Sequence, residues 1–511
     1  MNATLRRLST VVMVMFLALM VSTTWIQFVQ AQSLNDDPRN VRGIYSALGR
    51  DRGPIVVSNG DPIVTSVPVD DNFKYQRTYS DGDAGAAAVF APVTGYFSIN
   101  GTVTGMERYA NSYLAGEDDS LWLDRLQNLI TGEEAQGSSV ELTIDPKVQK
   151  AAWDALGDNV GAAVAINPKT GAILAMVSKP SFDPNALSSH DSEAANAAAE
   201  EVLNAKPRVN SIGGEERLSP YGPTINRTIN AIYPPGSTFK LLTSAAAIEY
   251  NGMSPATQIP AKDVYQLPGT TGDGGRVQNF GGETCSPTGQ MTLKDALRIS
   301  CNTAFLELAN TVGKDGMQQM FQDFGFTDSL EVPMTTSAGV YPGLSDTATD
   351  DSDARIALSG MGQGDLRLTP LQVAMISAAI ANDGDLMEPY LIQSVRDSDL
   401  ELVSQTKPNR YKSPFSSSTA DALTEMMVAV VEDGSGTGAQ IPGVQVAGKT
   451  GTAEDDPRSP TLWFTSFAPA DDPQVAVAVV LENEGQSTNE TTGGALASPI
   501  AAQIMQAAIS K

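Results

Sequence analysis

The chain has 511 residues, with 33 Lys+Arg against 59 Asp+Glu, a formal net charge of −26. The length suggests two or three domains, and 41% apolar residues with 45 Gly and 30 Pro describe a globular protein. The negative field repels nucleic acid, and one His with two Cys rules out a His-rich metal site, a four-thiolate zinc cluster and a multi-disulfide scaffold.

The N-terminus reads MNATLRRLSTVVMVMFLALMVSTTWIQFVQAQ. Arg6 and Arg7 precede an apolar stretch from Leu8 to Val29, long enough to cross a bilayer. The positive flank stays cytoplasmic, which places the rest of a single-pass chain outside the cell membrane. Two readings stand: an uncleaved anchor over residues 1–31, which the poor cleavage site favours, or a signal peptide cut after Val29-Gln30-Ala31. An exported chain can hold a disulfide. Cys285 and Cys301, 16 positions apart, are either such a bridge, stabilising by roughly 3 kcal/mol in the chain-entropy model, or two separate buried thiols.

From Gln32 to Ser139 the chain is rich in turns. Pro54-Ile-Val-Val and Pro62-Ile-Val-Thr-Ser-Val alternate as strands do, and Gly105 to Ile130 has helical spacing near its end. Gly132 to Ser139 (GEEAQGSS) reads as a linker. VELTIDPKVQKAAWDALG then predicts a strand and a helix. GAAVAINPKTGAILAMVS predicts a hairpin turning at Asn167–Gly171, and a loop-rich stretch follows to about Asn226. Helices are expected over 237–250 and 293–312. VQVAGKTGTA and LWFTSFAPADDPQVAVAVVLEN return to β, with a turn at Pro469–Pro473, and a helix begins at Leu496. Strands, helices and strands again make an α+β domain with an antiparallel sheet.

The lone His190 sits in LSSHDSEAANA and reads as a solvated loop residue, so a Ser-His-Asp triad has no support. A serine activated by lysine is the alternative. YPPGSTFK sets Pro234-Pro235-Gly236 as a rigid turn before Ser237, where a helix is expected to begin. Ser237 and Lys240 are then i and i+3 on one face. The helix N-terminus favours an alkoxide-like nucleophile, and partial burial lowers the lysine so that it accepts a proton. Taken alone, this pair reads better as a surface cap beside a solvated lysine. Ser300-Cys301-Asn302 interrupts a helical stretch and offers a hydroxyl and an amide. Lys449-Thr450-Gly451-Thr452 follows a β-like run and supplies a cation, hydroxyls and a close-approach glycine.

Ser-x-x-Lys, Ser-x-Asn and Lys-Thr-Gly in that order are the signature of penicillin-recognising serine acyltransferases. With NPKTGAILAMVSKPSFDPN, MGQGDLRLTPLQVA and VAGKTGTAE, nearly the whole chain resembles the class B penicillin-binding proteins, the monofunctional peptidoglycan transpeptidases. RGIYSALGRDRG and GMERY resemble their non-catalytic N-terminal module, and DDPRNVRG is similar to the short actinobacterial penicillin-binding protein A type. The resemblance implies a non-catalytic dimerisation or pedestal module over 32–139 and a transpeptidase domain over 140–511. Its implied substrates are peptidoglycan stem peptides, with β-lactams as covalent inhibitors. It also implies a partner glycosyltransferase of the cell-wall machinery and no cofactor.

In that resemblance Ser237 attacks the penultimate D-Ala carbonyl and Lys240 takes its proton. Ser300 relays a proton to the leaving amine, and Asn302 bonds the peptide and Lys240. Lys449, Thr450 and Thr452, with Gly451 between them, hold the terminal carboxylate, and the N–H groups of Ser237 and Thr452 form the oxyanion hole. The middle position of Ser-x-Asn is Cys301; a bridge to Cys285 would tie that motif down.

Three other readings compete. Gly443 to Thr450 fits G-x-x-x-x-G-K-[ST], but the β-like run lies between its glycines and no helix can follow. Gly434–Gly438 reads as a flexible loop, and Glu454-Asp455-Asp456 as a solvated one. A D,D-carboxypeptidase or β-lactamase shares the core with water as acceptor, and a non-catalytic penicillin-binding scaffold or sensor keeps the pocket alone.

Overall fold

The computed structural model describes residues 3–26, 48–118, 120, 136–212, 218–454, 460–485 and 492–510. The candidate cleavage site and the helical spacing over 121–130 lie outside them. Helix α1, Ala3–Thr24, has 22 residues, about 33 Å at 1.5 Å per residue. By length and composition its Arg6–Thr24 stretch can cross a membrane, and none of that stretch is buried against the rest of the chain.

The N-terminal strands are β1 (Ile55–Val56), β2 (Pro62–Pro68) and β3 (Tyr75–Tyr79). Helix α2 (Ala84–Thr94), capped by the Asp83 carboxylate, and helix α3 (Gly105–Tyr109) follow. Sequence periodicity does not reveal α2, because it is alanine-rich and nearly all apolar. Glu107 on α3 is fully buried, 2.8 Å from Arg52 Nη2 and paired as well with Arg77 Nε at 2.5 Å. Burial alone would raise its carboxyl, but the two guanidiniums hold it below the ordinary range. Strand β4 (Ser139–Leu142) runs parallel to β1, so the tract expected to be a linker ends inside a sheet.

Helix α4 (Pro146–Leu156) starts on an Asp145 cap with Pro146 at its first turn. The hairpin of β5 (Gly161–Ile166) and β6 (Ile173–Lys179) follows. The stretch expected to be loop-rich contains helix α5, Ser192–Asn204, capped by Asp191. Ala195 of α5 is buried, and Ala198, Ala199 and Val202 pack partly buried against the core, a stripe of small residues at i, i+3, i+4 and i+7 that the loop-rich reading passed over. His190, just before it, is not solvated. Its side chain is 10% exposed, Nδ1 lies 2.6 Å from Asp71 Oδ2, and the ring packs on Phe73.

The middle of the chain is helical: α6 (Lys240–Asn251), α7 (Leu293–Arg298), α8 (Asn302–Asp323, bent at Gly313) and α9 (Pro370–Ala381). Strands β7 (Ile392–Arg396) and β8 (Leu402–Gln405) return to the first sheet, whose order is β8-β7-β4-β1-β2-β3. Helix α10 (Ser417–Asp433) leads to the second sheet. Its strands β9 (Ala447–Glu454), β10 (Pro460–Ala468) and β11 (Val475–Gly485) join the hairpin in the order β9-β10-β11-β5-β6. Helix α11 (Ser498–Ile509) ends the chain.

The second sheet is central, so its strands are apolar on both faces. Ala163, Ala165, Val477 and Val479 meet Val148 and Ala152 of α4 and Ile500 and Ile504 of α11. Ala162, Val164, Ala478 and Val480 face the larger core with Leu371, Ala374 and Met375 of α9. Alternation along each strand thus sorts side chains between two helical layers. Strand β9 is the sheet's edge, pairing only with β10 in this order.

Removing Glu107 from the buried Arg52–Glu107–Arg77 cluster strands two guanidinium charges. Glu107→Ala should therefore destabilise the N-terminal sheet by about 3–5 kcal/mol, read as a lower urea midpoint. An unchanged midpoint would contradict this role.

Candidate active site

The turn carrying Ser237 is built by its neighbours. Tyr233 and Leu368 exchange two backbone hydrogen bonds, each 2.9 Å. Tyr233 donates its hydroxyl to Glu482 Oε1 at 2.7 Å, and Arg227 Nε donates to the same oxygen at 3.0 Å. The Pro234 carbonyl accepts from the buried Trp463 indole at 3.0 Å. Gly236 has φ +53° and donates its N–H to Gly362 O at 3.0 Å. Gly362, at φ +82°, lies so close that a Cβ there would stand 1.8 Å from Gly236 O. These two glycines are required by positive φ and by contact.

Ser237 lies in a 3₁₀ segment, Gly236–Phe239, and the α-helix starts at Lys240 rather than at Ser237. In a three-residue turn, i and i+3 eclipse, so the expected shared face survives the change. Among the described residues Ser237 Oγ makes no hydrogen bond, and the direct Ser237–Lys240 bond is not formed.

Lys240 is wholly buried. Its Nζ donates to Ser300 O at 2.8 Å and Asn302 Oδ1 at 2.8 Å, and lies 3.2 Å from Ser300 Oγ. Lys449 is equally buried, with Nζ 2.9 Å from Ser300 Oγ and 2.9 Å from Thr450 O. Burial pushes the Lys449 amine down to about 7. Burial, and then the neighbouring Lys449 charge, hold Lys240 well below the ordinary lysine range. Two amines thus meet on one hydroxyl. A hydroxyl has one proton to give and two lone pairs, so Ser300 can accept from a charged Lys449 while donating to a neutral Lys240.

Ser300 stands at φ +63°, between the end of α7 and the start of α8, where the sequence interrupts its helical stretch. Cys301, the cap residue of α8, forms a disulfide with Cys285. Thr450 is almost buried, and its hydroxyl is 2.7 Å from Ser435 Oγ. A Cβ on Gly451 would lie 2.9 Å from Thr238 Cγ2 and 3.0 Å from Pro235 O, so only glycine lets β9 lie against the Ser237 turn. Thr452 accepts from Gly493 N at 3.4 Å, and its carbonyl faces Gly236.

The structure therefore gathers Lys240, Ser300, Asn302 and Lys449 in one hydrogen-bonded cluster and packs the Thr450-Gly451-Thr452 edge against the Ser237 turn. Lys449 sits mid-strand opposite Thr465, which excludes a phosphate loop. Glu454 continues β9 instead of a loop; Asp455 and Asp456 lie outside the described residues. Gly434–Gly438 is packed: a Cβ on Gly434 would lie 2.5 Å from Arg298 O. Ser435 in that segment, and the Glu482–Arg227 pair that supports Tyr233, carry no motif and are visible only once the chain is folded.

Residues 161–506 match the penicillin binding protein transpeptidase domain, and residues 52–140 match the penicillin binding protein A dimerisation domain. The peptidoglycan D,D-transpeptidase PbpA of Mycolicibacterium smegmatis is 41% identical over 100% of this chain and 99% of its own length. The protein of that name from Mycobacterium tuberculosis is 38% identical over the same shares. Among solved structures, penicillin-binding protein A from M. tuberculosis as its ceftriaxone acyl-enzyme complex superposes with a TM-score of 0.81 at 37% identity. It covers 91% of this chain and 100% of that one. The penicillin G acyl-enzyme complex gives 0.80 at 36% identity, over 90% and 100%. With a buried Lys–Ser–Lys cluster beside a serine turn and family matches along both modules, the chain belongs to the penicillin-binding protein transpeptidases of the penicillin-binding protein A type.

Proposed function

We propose that this chain is a peptidoglycan D,D-transpeptidase that cross-links stem peptides through an acyl-enzyme on Ser237 and is acylated there by β-lactams. The observation that carries the reading is the meeting of two buried lysine amines on Ser300 beside the Ser237 turn. Full-length relatives named as this enzyme, and a relative's β-lactam acyl-enzyme complexes, support it.

Neutral Lys240 takes the Ser237 proton as the hydroxyl attacks the penultimate D-Ala carbonyl. The N–H groups of Ser237 and Thr452 receive the oxyanion. In an antiparallel strand the N–H and C=O of one residue point the same way, and the Thr452 carbonyl faces Gly236. Ser300, between the two amines, passes a proton to the departing D-Ala amine. Charged Lys449 with Thr450 and Thr452 holds the terminal carboxylate, and Ser435 extends that hydroxyl cluster. The amine of a second stem peptide then attacks the ester and restores Ser237.

Helix α1 anchors the chain, with Arg6 and Arg7 on the cytoplasmic side and both modules outside. The boundaries 1–31, 32–139 and 140–511 describe anchor, non-catalytic module and catalytic domain, although β4, β7 and β8 share the N-terminal sheet. A membrane glycosyltransferase supplying nascent glycan strands is the expected partner, since a transpeptidase needs polymerised substrate.

Fluorescent penicillin labels the wild-type chain in this account and fails to label Ser237→Ala; persistent labelling would refute the nucleophile. Lys240→Arg keeps the charge but cannot release its proton, so acylation should fall by at least about a hundredfold. A depressed amine is neutral above its lowered pKa and charged below it. The wild-type acylation rate should therefore fall as pH drops through a value well under that of a free lysine. A rate that rises only near pH 10 would contradict the assignment.

A further inference from the structure

Helix α8 carries Asn302 in its first turn, directly after the Ser300 turn, yet its own cap residue, Cys301, makes no side-chain capping bond. The first N–H groups of a helix need partners from elsewhere. Here the partner comes from 24 residues upstream. Asn279 Oδ1 accepts from Thr303 N at 3.0 Å and from Thr303 Oγ1 at 3.2 Å, and Asn279 is 7% exposed. Its amide donates in turn to Glu283 O at 3.1 Å. Asn279 directly follows the strand Arg276–Gln278, paired with Val264–Gln266, and Val277 packs against Tyr265 and Leu306 of α8. The same short loop leads to Cys285 and its disulfide to Cys301. One loop thus grips the start of α8 by a covalent tie and by a side-chain cap.

We propose that Asn279 is a positioning residue for the acylation step, capping α8 in trans so that Ser300 and Asn302 stay on the Lys240 amine. This rests on the transpeptidase reading above. Ser300 holds a left-handed backbone that a serine adopts only when its surroundings impose it. Both of its neighbours in the turn are fixed from outside, Cys301 by the bridge and Asn302 through the capped Thr303. Without the cap, α8 frays from Asn302, and the amide and carbonyl that hold Lys240 shift. A displacement of about 1 Å is enough to slow chemistry by roughly a hundredfold.

The test measures the acylation rate constant and the preceding dissociation constant for a fluorescent penicillin, using the full chain in detergent, with Ser237→Ala as background. Asn279→Ala should slow acylation by about ten- to a hundredfold while the dissociation constant changes little, and the disulfide should persist. Asn279→Asp keeps the acceptor, exchanges the donor to Glu283 O for a second oxygen, and places its charge at a helix N-terminus, which favours an anion; it should recover acylation to within about threefold of wild type. Wild-type acylation in Asn279→Ala, or an equal loss in both variants, would overturn the assignment. If Asn279→Ala does not fold, Asn279→Asp alone decides: near-wild-type acylation supports the cap and a large loss rejects it. A wild-type chain that takes no label at all instead overturns the transpeptidase reading, and the assignment with it.

Discussion

Two fully buried lysine amines, Lys240 and Lys449, converge on the single hydroxyl of Ser300. Charges out of water cost several kcal/mol each unless they are paired, and like charges add to that cost. Among the described residues no carboxylate is a hydrogen-bond partner of either amine; carbonyls, hydroxyls and one amide oxygen surround them. The cheapest state keeps one amine neutral, and the one losing most is Lys240, under both burial and its neighbour's charge. In the proposed mechanism a base for Ser237 and a cation for a carboxylate arise from this same constraint, with no histidine needed.

The rest of the catalytic domain holds that arrangement against its own cost. Strand β9 is a sheet edge, so one side of its backbone has no strand partner in the sheet while β10 braces the other. Gly451 and Gly236 let this edge and the serine turn approach without side chains between them. Behind the turn, Trp463, Tyr233 and Glu482 fix the Pro234-Pro235 entry from β10 and β11, and Arg227 neutralises the buried carboxylate. Across the cleft, the disulfide and Asn279 fix the α7–α8 junction. Ser237, Ser300 and Lys449 thus come from three different elements, each tied to the central core by apolar packing.

Much of this was legible in the sequence for physical reasons. The strands of the second sheet are long, apolar and bounded by turn residues, so 161–179 and 460–485 read as hairpins without ambiguity. Ser237, Ser300 and Lys449 each stand at a local interruption or strand that composition reveals. Helix α5 did carry a signal, a stripe at Ala195, Ala198, Ala199 and Val202, but one of small, weakly apolar residues. Other features have no local signal. The 3₁₀ start before Lys240 is imposed by Gly362 from far along the chain. His190 reads as solvated because Asp71 and Phe73 reach it only through the fold. Ser435 and Asn279 lie in glycine-rich segments whose packing partners are distant in sequence, and burial there is a tertiary fact.

The central claim is that Lys240 is neutral at working pH because it is buried beside Lys449. It is tested most directly by following the Lys240 13Cε resonance against pH in selectively labelled protein, in wild type and in Lys449→Met. The account predicts a transition well below the ordinary lysine value of about 10.4, moving upward when the Lys449 charge is removed. An ordinary lysine transition in wild type, unmoved by that substitution, would contradict it.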